Sequence, residues 1–270
     1  MSRLVWDAAG EKAYESGVDH GVLYPLADNV YNNGVVWNGL TSISESPEGG
    51  DANDFYADNI KYGTLRGTEN FGGTIEAYTY PDEFAICDGS ASLADGVIIG
   101  QQTRKTFGLS YRTLMGNDAD GLDAGYKLHL VYGATASPSE KSYETINDSP
   151  EAITFSWEFT TIPVPVTGTD YKPISVLVID STKADEDNLE TLENILYGSN
   201  ETIYVPTQDQ TKQQGKTYYT RSGAGTTESP YTYSVFSGSE FAVGTTYYEA
   251  TTPGPRLPLP AEVKQIMEAE

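Results

Sequence analysis

The densest concentration of ionisable side chains lies in WNGLTSISESPEGGDANDFYADN, residues 37–59, where Glu45, Glu48, Asp51, Asp54 and Asp58 occur without a Lys or Arg. Carboxylates so gathered can hold a hard cation, supply an acid–base pair, or form an acidic loop that meets a macromolecule. No His or Cys accompanies them, and their spacing fits no ligand pattern. Pro47, Gly49 and Gly50 read as a loop between strands. The expectation is an assembly loop, mobile in the free chain and ordered against a neighbour. A second cluster, NDADGLD, places Asp118, Asp120 and Asp123 as in the first half of a calcium loop, but no glutamate stands where the bidentate ligand belongs. It reads as a hairpin tip rich in turn formers and as a second assembly candidate.

Other reactive groups are few. His20 follows Asp19, which can orient an imidazole, but no nucleophile is suggested nearby. His129 alternates with Leu128 and Leu130 and reads as a solvated strand histidine. The single Cys87 excludes an intrachain disulfide framework and a multi-cysteine zinc site, and reads as a small buried apolar residue. There is no P-loop, G-x-S-x-G elbow, H-E-x-x-H or dinucleotide fingerprint. The residues therefore suggest no enzyme, no cofactor and no metal site.

The elements that must position these groups are mostly strands. FGLSYRTLM from Phe107 puts Phe107, Leu109, Tyr111 and Met115 on one face, and YKLHLVY puts Tyr126, Leu128, Leu130 and Tyr132 on one face. They form a hairpin whose long polar tip is Gly116–Gly125. AITFSWEFTT directs Ile153, Phe155, Trp157 and Phe159 inward. Further strands are expected near Gly34–Ser44, Gly73–Tyr80 and Pro173–Asp180. A helix over 184–197 carries the stripe Leu189, Leu192, Ile195 and Leu196, with a capping box from Thr182 and Asp185 and a stop at Gly198. A short second helix starts at Pro260, with Val263, Ile266 and Met267 on one side.

Composition narrows the partners. Sixteen basic against 39 acidic residues give a net charge of −23, which argues against a surface that grips nucleic acid or anionic lipid. The N-terminal stretch lacks the apolar core of a secretory signal, and no apolar run approaches a membrane span, so no membrane partner is expected. Tyrosine dominates the aromatics, 20 against 8 Phe and 3 Trp, which suits half-buried sheet faces and interfaces. Residues 200–252 differ in texture, with seven tyrosines and the echo GKTYYT and GTTYYE. They read as a small β insertion in which Tyr218, Tyr219, Tyr247 and Tyr248 pair across strands.

Several segments together resemble a known family: WDAAGEKAYESGVDHGVLYP, GVVWNGLTSISESPEGG with FYADNIKY, GTIEAYTYPDEFAICDG, IGQQTRKTFGLSYRT, the run GYKLHLVYGATASPSEKSYETINDSPEAITFSWEFTT, and PRLPLPAEV. The chain is similar to the major tail proteins of long, non-contractile-tailed bacteriophages. The likeness spans roughly 1–200 and 253–263; the insertion departs from it. The resemblance implies a mainly β, tail-tube-type sandwich or barrel with one flanking α-helix. It implies a tail-tube domain over 1–199 and a C-terminal extension over 253–270 that returns to the tube domain, with the Tyr-rich β insertion over 200–252 read from its own residues between them. It further implies a structural role in the virion tail, with host cytoplasm as the location before assembly. The partners would be other copies of the chain in stacked, hexameric rings, the tape-measure and other tail proteins, and DNA that passes through without specific binding. Two other classes stay open: a carbohydrate- or receptor-binding β module built on the tyrosine-rich insertion, and a hydrolase with a carboxylate pair.

Overall fold

The computed structural model describes residues 6–67, 69–143, 145–146, 148, 151–166, 168, 170–200, 202–207, 211–213, 216–223, 229, 231–242, 244–252 and 254–268. The chain divides into two compact units, Met1–Tyr197 with Pro255–Glu270, and Gly198–Gly254. It is mainly β, with antiparallel sheets, three helices and no closed barrel among the described residues.

Unit 1 begins with β1 (Tyr14–Pro25), β2 (Tyr31–Asn32), β3 (Val35–Val36), β4 (Leu40–Glu45), β5 (Ala52–Ala57), β6 (Ile60–Arg66) and β7 (Gly72–Ala77). A 3-10 turn, Asp82–Phe84, runs into α1 (Ala85–Asp88). There follow β8 (Ala91–Ala94), β9 (Val97–Ile99), β10 (Phe107–Asn117), β11 (Gly121–Ala136), β12 (Phe155–Thr161), β13 (Val176–Asp180) and α2 (Glu186–Tyr197). Unit 2 holds β14 (Ile203–Pro206), β15 (Tyr219–Ser222), β16 (Thr232–Val235) and β17 (Tyr248–Thr251); the chain then returns to unit 1 as β18 (Arg256–Leu257) and α3 (Pro260–Met267).

The main sheet of unit 1 runs β3-β1-β10-β11-β12-β7-β4, with β13 also paired to β11. Its two end strands, β3 and β4, are separated in sequence only by residues 37–39. So short a link spans no more than about 14 Å. The sheet must therefore curl back on itself, and it does so around one aromatic core containing Trp37, Phe84, Phe107, Tyr111, Trp157 and Phe159.

β10 and β11 form the expected hairpin, but their apolar faces look in opposite directions. Leu109 and Tyr111 face the interior of the curl, whereas Leu128, Leu130 and Tyr132 point outward into a second core closed by α2 and α3. Leu189, Leu192 and Leu196 are buried there together with Val263. On that side β10 presents small residues so that the cover can approach. A Cβ on Gly108 would lie 2.4 Å from Leu257, and Ser110 sits 3.2 Å from the Tyr24 hydroxyl. The same hydroxyl donates to the Leu196 carbonyl at 2.8 Å, satisfying one of the open acceptors at the end of α2.

Three local expectations change, and one long strand was not expected. Ile153 lies before β12 and is exposed, because the strand starts only at Phe155. The helix cap is Asp185, whose side chain accepts from Asn188 N at 3.2 Å; Thr182 bonds instead to Asp180. Two helices, not one, flank the sheet through the second core. β1, the longest strand without a sequence-level forecast, breaks alternation with register shifts at Ser16/Asp19 and Asp19/Val22 and with positive φ at Gly17 and His20.

Unit 2 is a four-stranded antiparallel sheet of order β14-β17-β15-β16. Tyr219 pairs with Tyr248 across strands. Tyr218 and Tyr247 instead flank Phe241, with ring centroids 4.8 and 4.1 Å away, since neighbours along a strand face opposite sides. Their hydroxyls accept backbone N–H groups of Gln213 and Ala242, which gives tyrosine an advantage over phenylalanine there. Tyr204 stacks on Tyr233 at 4.0 Å.

Trp157 is fully buried against Trp37, Tyr80 and Phe84, and its indole N–H has no acceptor among the described residues. Trp157→Ala should destabilise by about 3–5 kcal/mol. Trp157→Phe, which removes the orphan donor with part of the ring, should cost less than about 1.5 kcal/mol. Urea titration of both variants checks the contrast; equal losses would refute this account of the site.

Candidate assembly surface

The acidic stretch is not one loop. Glu45 closes β4, Ser46 and Glu48 prolong its ladder through Gly72 O and Asn70, and Asp54 lies within β5. Asp58 and Asn59 form the turn of the β5–β6 hairpin with φ of 52° and 63°. Two successive left-handed residues are the signature of a type I′ turn, which matches strand twist. The sequence carries that mark in ADNI, between Phe55-Tyr56 and Lys61-Tyr62, but the density of acids and glycines masks it.

Glu45 points inward and joins the body of the sheet. The Tyr111 hydroxyl donates to its Oε1 at 2.6 Å, and His129 Nδ1 lies 3.1 Å from the same oxygen. The imidazole stacks on the Tyr111 ring at 4.7 Å with an angle of 7°, and its Nε2 lies 3.1 Å from Thr113 Oγ1. His129 is therefore not the solvated residue that alternation suggested; its side chain is only 12% exposed. Contact with His129, aided by Tyr111 and outweighing partial burial, holds the Glu45 carboxyl below the ordinary carboxylate range. Burial and the same carboxylate push the Tyr111 phenol up.

Hydroxyl, imidazole and carboxylate thus stand in series, the connectivity of a nucleophile with its base. The surroundings do not extend it. β10 is paired on both edges, with β1 and β11, so its N–H groups serve the ladders and offer no donor pair to a developing oxyanion. Thr113 also donates to Glu15 at 3.4 Å, and Glu15 is ion-paired with Lys127. The arrangement suits a fastener between β4, β10 and β11.

His20 does meet Asp19, at 3.0 Å, but Arg112 joins both, at 2.7 Å from His20 Nδ1 and 3.1 Å from Asp19. Burial pushes the Asp19 carboxyl up, but its bonds to Arg112 and His20 prevail and hold it below the usual range. Arg112 also lies 4.6 Å from the Tyr126 ring centroid, whose hydroxyl donates to Glu193 of α2 at 2.8 Å. This set clamps helix to sheet.

Beyond Glu45 the chain projects. Every residue of β5 is exposed, and Phe55, Tyr56, Ile60, Tyr62 and Leu65 are 42–70% exposed on a hairpin paired to no other strand among the described residues. A lone hairpin is marginal in water. Asp54 braces it by accepting from Thr64 at 2.6 Å and pairing with Lys61 at 2.8 Å. A second lone hairpin, β8–β9, exposes Leu93, Val97 and Ile98. In the sequence these apolar groups are masked by the acidic residues and glycines on either side.

The other acidic candidates are used locally. β10 and β11 extend so far that the tip shrinks to 118–120. Asp118 accepts from Gly10 N at 3.0 Å and Lys12 N at 3.3 Å, tying down the N-terminal segment, and Asp120 accepts from Asn117 at 2.9 Å. Asp123 donates its backbone N–H to Asp120 O, and Asp51 is exposed in the link before β5. Among the described residues no three His, Cys, Asp or Glu side chains are grouped to hold a metal ion. Cys87 is fully buried, which pushes its thiol up to about 12. On the outer side of β4, β7 and β12 lies a cleft of about 370 Å³ bordered by Ser46, Glu48, Thr74, Glu158 and Thr160.

No protein-family model matches the chain, and no curated protein matches it.

A carboxyl held below its ordinary value of 4.5 adds stability that is fully present above that value and lost as pH falls through the folded one. Glu45→Gln should lower the urea midpoint at neutral pH, and the deficit should narrow steadily in acid. A deficit independent of pH would show that the carboxylate charge is not what holds β4.

Proposed function

We propose that this chain is a structural subunit of a bacteriophage tail tube, self-assembling into stacked, hexameric rings around an acidic channel for DNA. The observation that carries the reading is the β5–β6 hairpin, which leaves five large apolar side chains exposed and has no partner strand among the described residues. A second copy of this chain is its occupant. A hairpin that docks on a different patch of the next copy makes a heterologous contact, and repetition of such a contact closes rings or extends tubes. The resemblance over most of unit 1 supports the same reading, as does a curled antiparallel sheet with helices on one outer side. The acidity supports it too, since a basic wall would hold the DNA backbone through counterion release.

The glycan-binding alternative loses its best argument. Tyr218, Tyr247 and Tyr248 are almost wholly buried, and Tyr204, Tyr219 and Tyr233 are ring-stacked within unit 2. These rings form the unit's own small core.

Electron microscopy of the concentrated protein, alone and with the other tail proteins, should show rings or tubes. The double variant Phe55→Ser, Tyr62→Ser should keep its circular dichroism spectrum and lose assembly. Tubes formed equally well by the variant, or no assembly of the parent under any condition, would overturn the reading. Because each subunit carries a charge of −23, added salt should speed assembly, the screening length being about 8 Å at physiological ionic strength. Slower assembly in salt would mean that attraction between charges, rather than apolar burial, drives the contact.

Leu196 and Leu257 share one core, so the two points where unit 1 gives way to 198–254 lie beside the same helices. Replacing 198–254 by a short Gly-Ser linker should leave tube formation intact; loss of assembly would place that unit at a subunit contact.

A further inference from the structure

The β5–β6 hairpin is the far half of a ribbon whose near half is β4 and β7. Ile43 faces Ile75 and Glu45 faces Gly73 in the main sheet, and Glu48 bridges Asn70 beyond it. In the hairpin Ala52 faces Arg66 and Asp54 faces Thr64. Each step forward on one strand is matched by one step back on the other, so no residue is gained or lost across the interval. Both halves are braced. In the near half Glu45 accepts from Tyr111 at 2.6 Å, and Phe71 O accepts from Thr161 N at 3.0 Å and from its hydroxyl at 2.6 Å. In the far half Asp54 holds Thr64 and Lys61, while the Phe55 ring covers Gly63 and lies 5.9 Å from the Tyr62 ring.

Between the Glu48–Asn70 bridge and the Ala52–Arg66 pair the ladder stops among the described residues, and the two strands meet at glycine. A Cβ on Gly50 would lie 2.6 Å from the Gly67 Cα, and one on Gly67 would lie 2.9 Å from the Gly50 Cα. Neither glycine has a positive φ, so the crossing demands the absence of a side chain, not a left-handed backbone. Gly49, one residue away, looks into open space. We infer that the Gly50–Gly67 crossing is a hinge, and that the arm beyond it, residues 52–66, turns there as a unit when it docks on a second copy of the chain; the docking rests on the tube reading above. Hinges are a few positions that absorb a change in φ and ψ between two braced bodies, and glycine does so at the least steric cost. Five large exposed side chains on the arm have to meet a neighbour's surface together, and a fixed arm would present them at one angle only. The grip of Tyr111 and His129 on Glu45 keeps the turn out of the sheet and confines it to the neck.

Nitroxide labels on Asn53→Cys in the arm and Glu158→Cys in β12, both exposed positions, report the angle as a distance, and the buried Cys87 takes no label. The distance distribution should be broad in the free subunit and narrow in tubes where labelled subunits are diluted with the parent. Gly50→Ala and Gly67→Ala should each displace its mean and slow tube formation by roughly tenfold or more, as an overpacked contact would. Both should keep the parent's circular dichroism spectrum and urea midpoint, and Gly49→Ala should match the parent throughout. A narrow distribution in the free subunit would overturn the hinge, as would tubes formed at the parent's rate by both Gly50→Ala and Gly67→Ala. If the parent itself forms no tubes, the tube reading falls, and the width of the free-subunit distribution still decides for or against the hinge.

Discussion

Trp37 sits in the link that joins the two ends of the main sheet, and the closure of unit 1 depends on it. Its backbone N–H donates to Gly21 O at 2.8 Å, on β1, while its indole N–H donates to Thr79 O at 3.0 Å, just past β7. Its ring packs on Phe84 at 4.6 Å and on Trp157 at 5.7 Å. One residue thus ties together the strands next to the two ends of the sheet and the middle of the curl. A curled sheet with aromatic filling leaves little choice in register, because a shift by one residue would expose every ring in it. From that body extend two hairpins, β5–β6 and β8–β9, which pair with no other strand among the described residues.

Glu45 marks the boundary between the two. It ends the strand that closes the curl and starts the chain toward the β5–β6 hairpin, and its carboxylate is fastened inward by Tyr111 and His129. The acidic stretch therefore serves several local purposes. Glu45 anchors, Asp54 braces the hairpin, and Asp58 supplies a left-handed turn residue. Asp118 does the same kind of work at the other cluster, where it holds residues 10–12. Carboxylates in a row need share no chemistry; here each follows the demands of its own backbone position.

Where period and packing agreed, the fold was legible from sequence. β12 with Trp157 and Phe159, the alternation in β10 and β11, and the leucine stripe of α2 each stand where alternation or helical spacing put them. β1 was not legible because its bulges and the positive φ of His20 destroy alternation. The opposed faces of β10 and β11 were hidden as well. Period assigns residues to a face, but only tertiary packing says which face meets the helices. The candidate surface was half legible. The acidic stretch overlaps only the first strand and the turn of the hairpin, and the exposure of Phe55, Tyr62 and Leu65 required knowing that no other strand among the described residues pairs with it.

The two units also divide the charge. Residues 198–254 contain five acidic and three basic side chains, so nearly all of the net −23 resides in unit 1. In the proposed ring, subunits bearing such charge would repel one another, and burial of apolar hairpin surface at about 25 cal/mol per Å² would have to exceed that repulsion. Unit 2 stands outside this balance. Its tyrosines are consumed in a core of stacked rings whose hydroxyls bind backbone N–H groups, and it reaches a folded state with few aliphatic side chains and little charge. A unit that folds on its own aromatic contacts can be inserted between α2 and β18 without altering the curl, the hairpins or the acidity on which the proposed assembly depends.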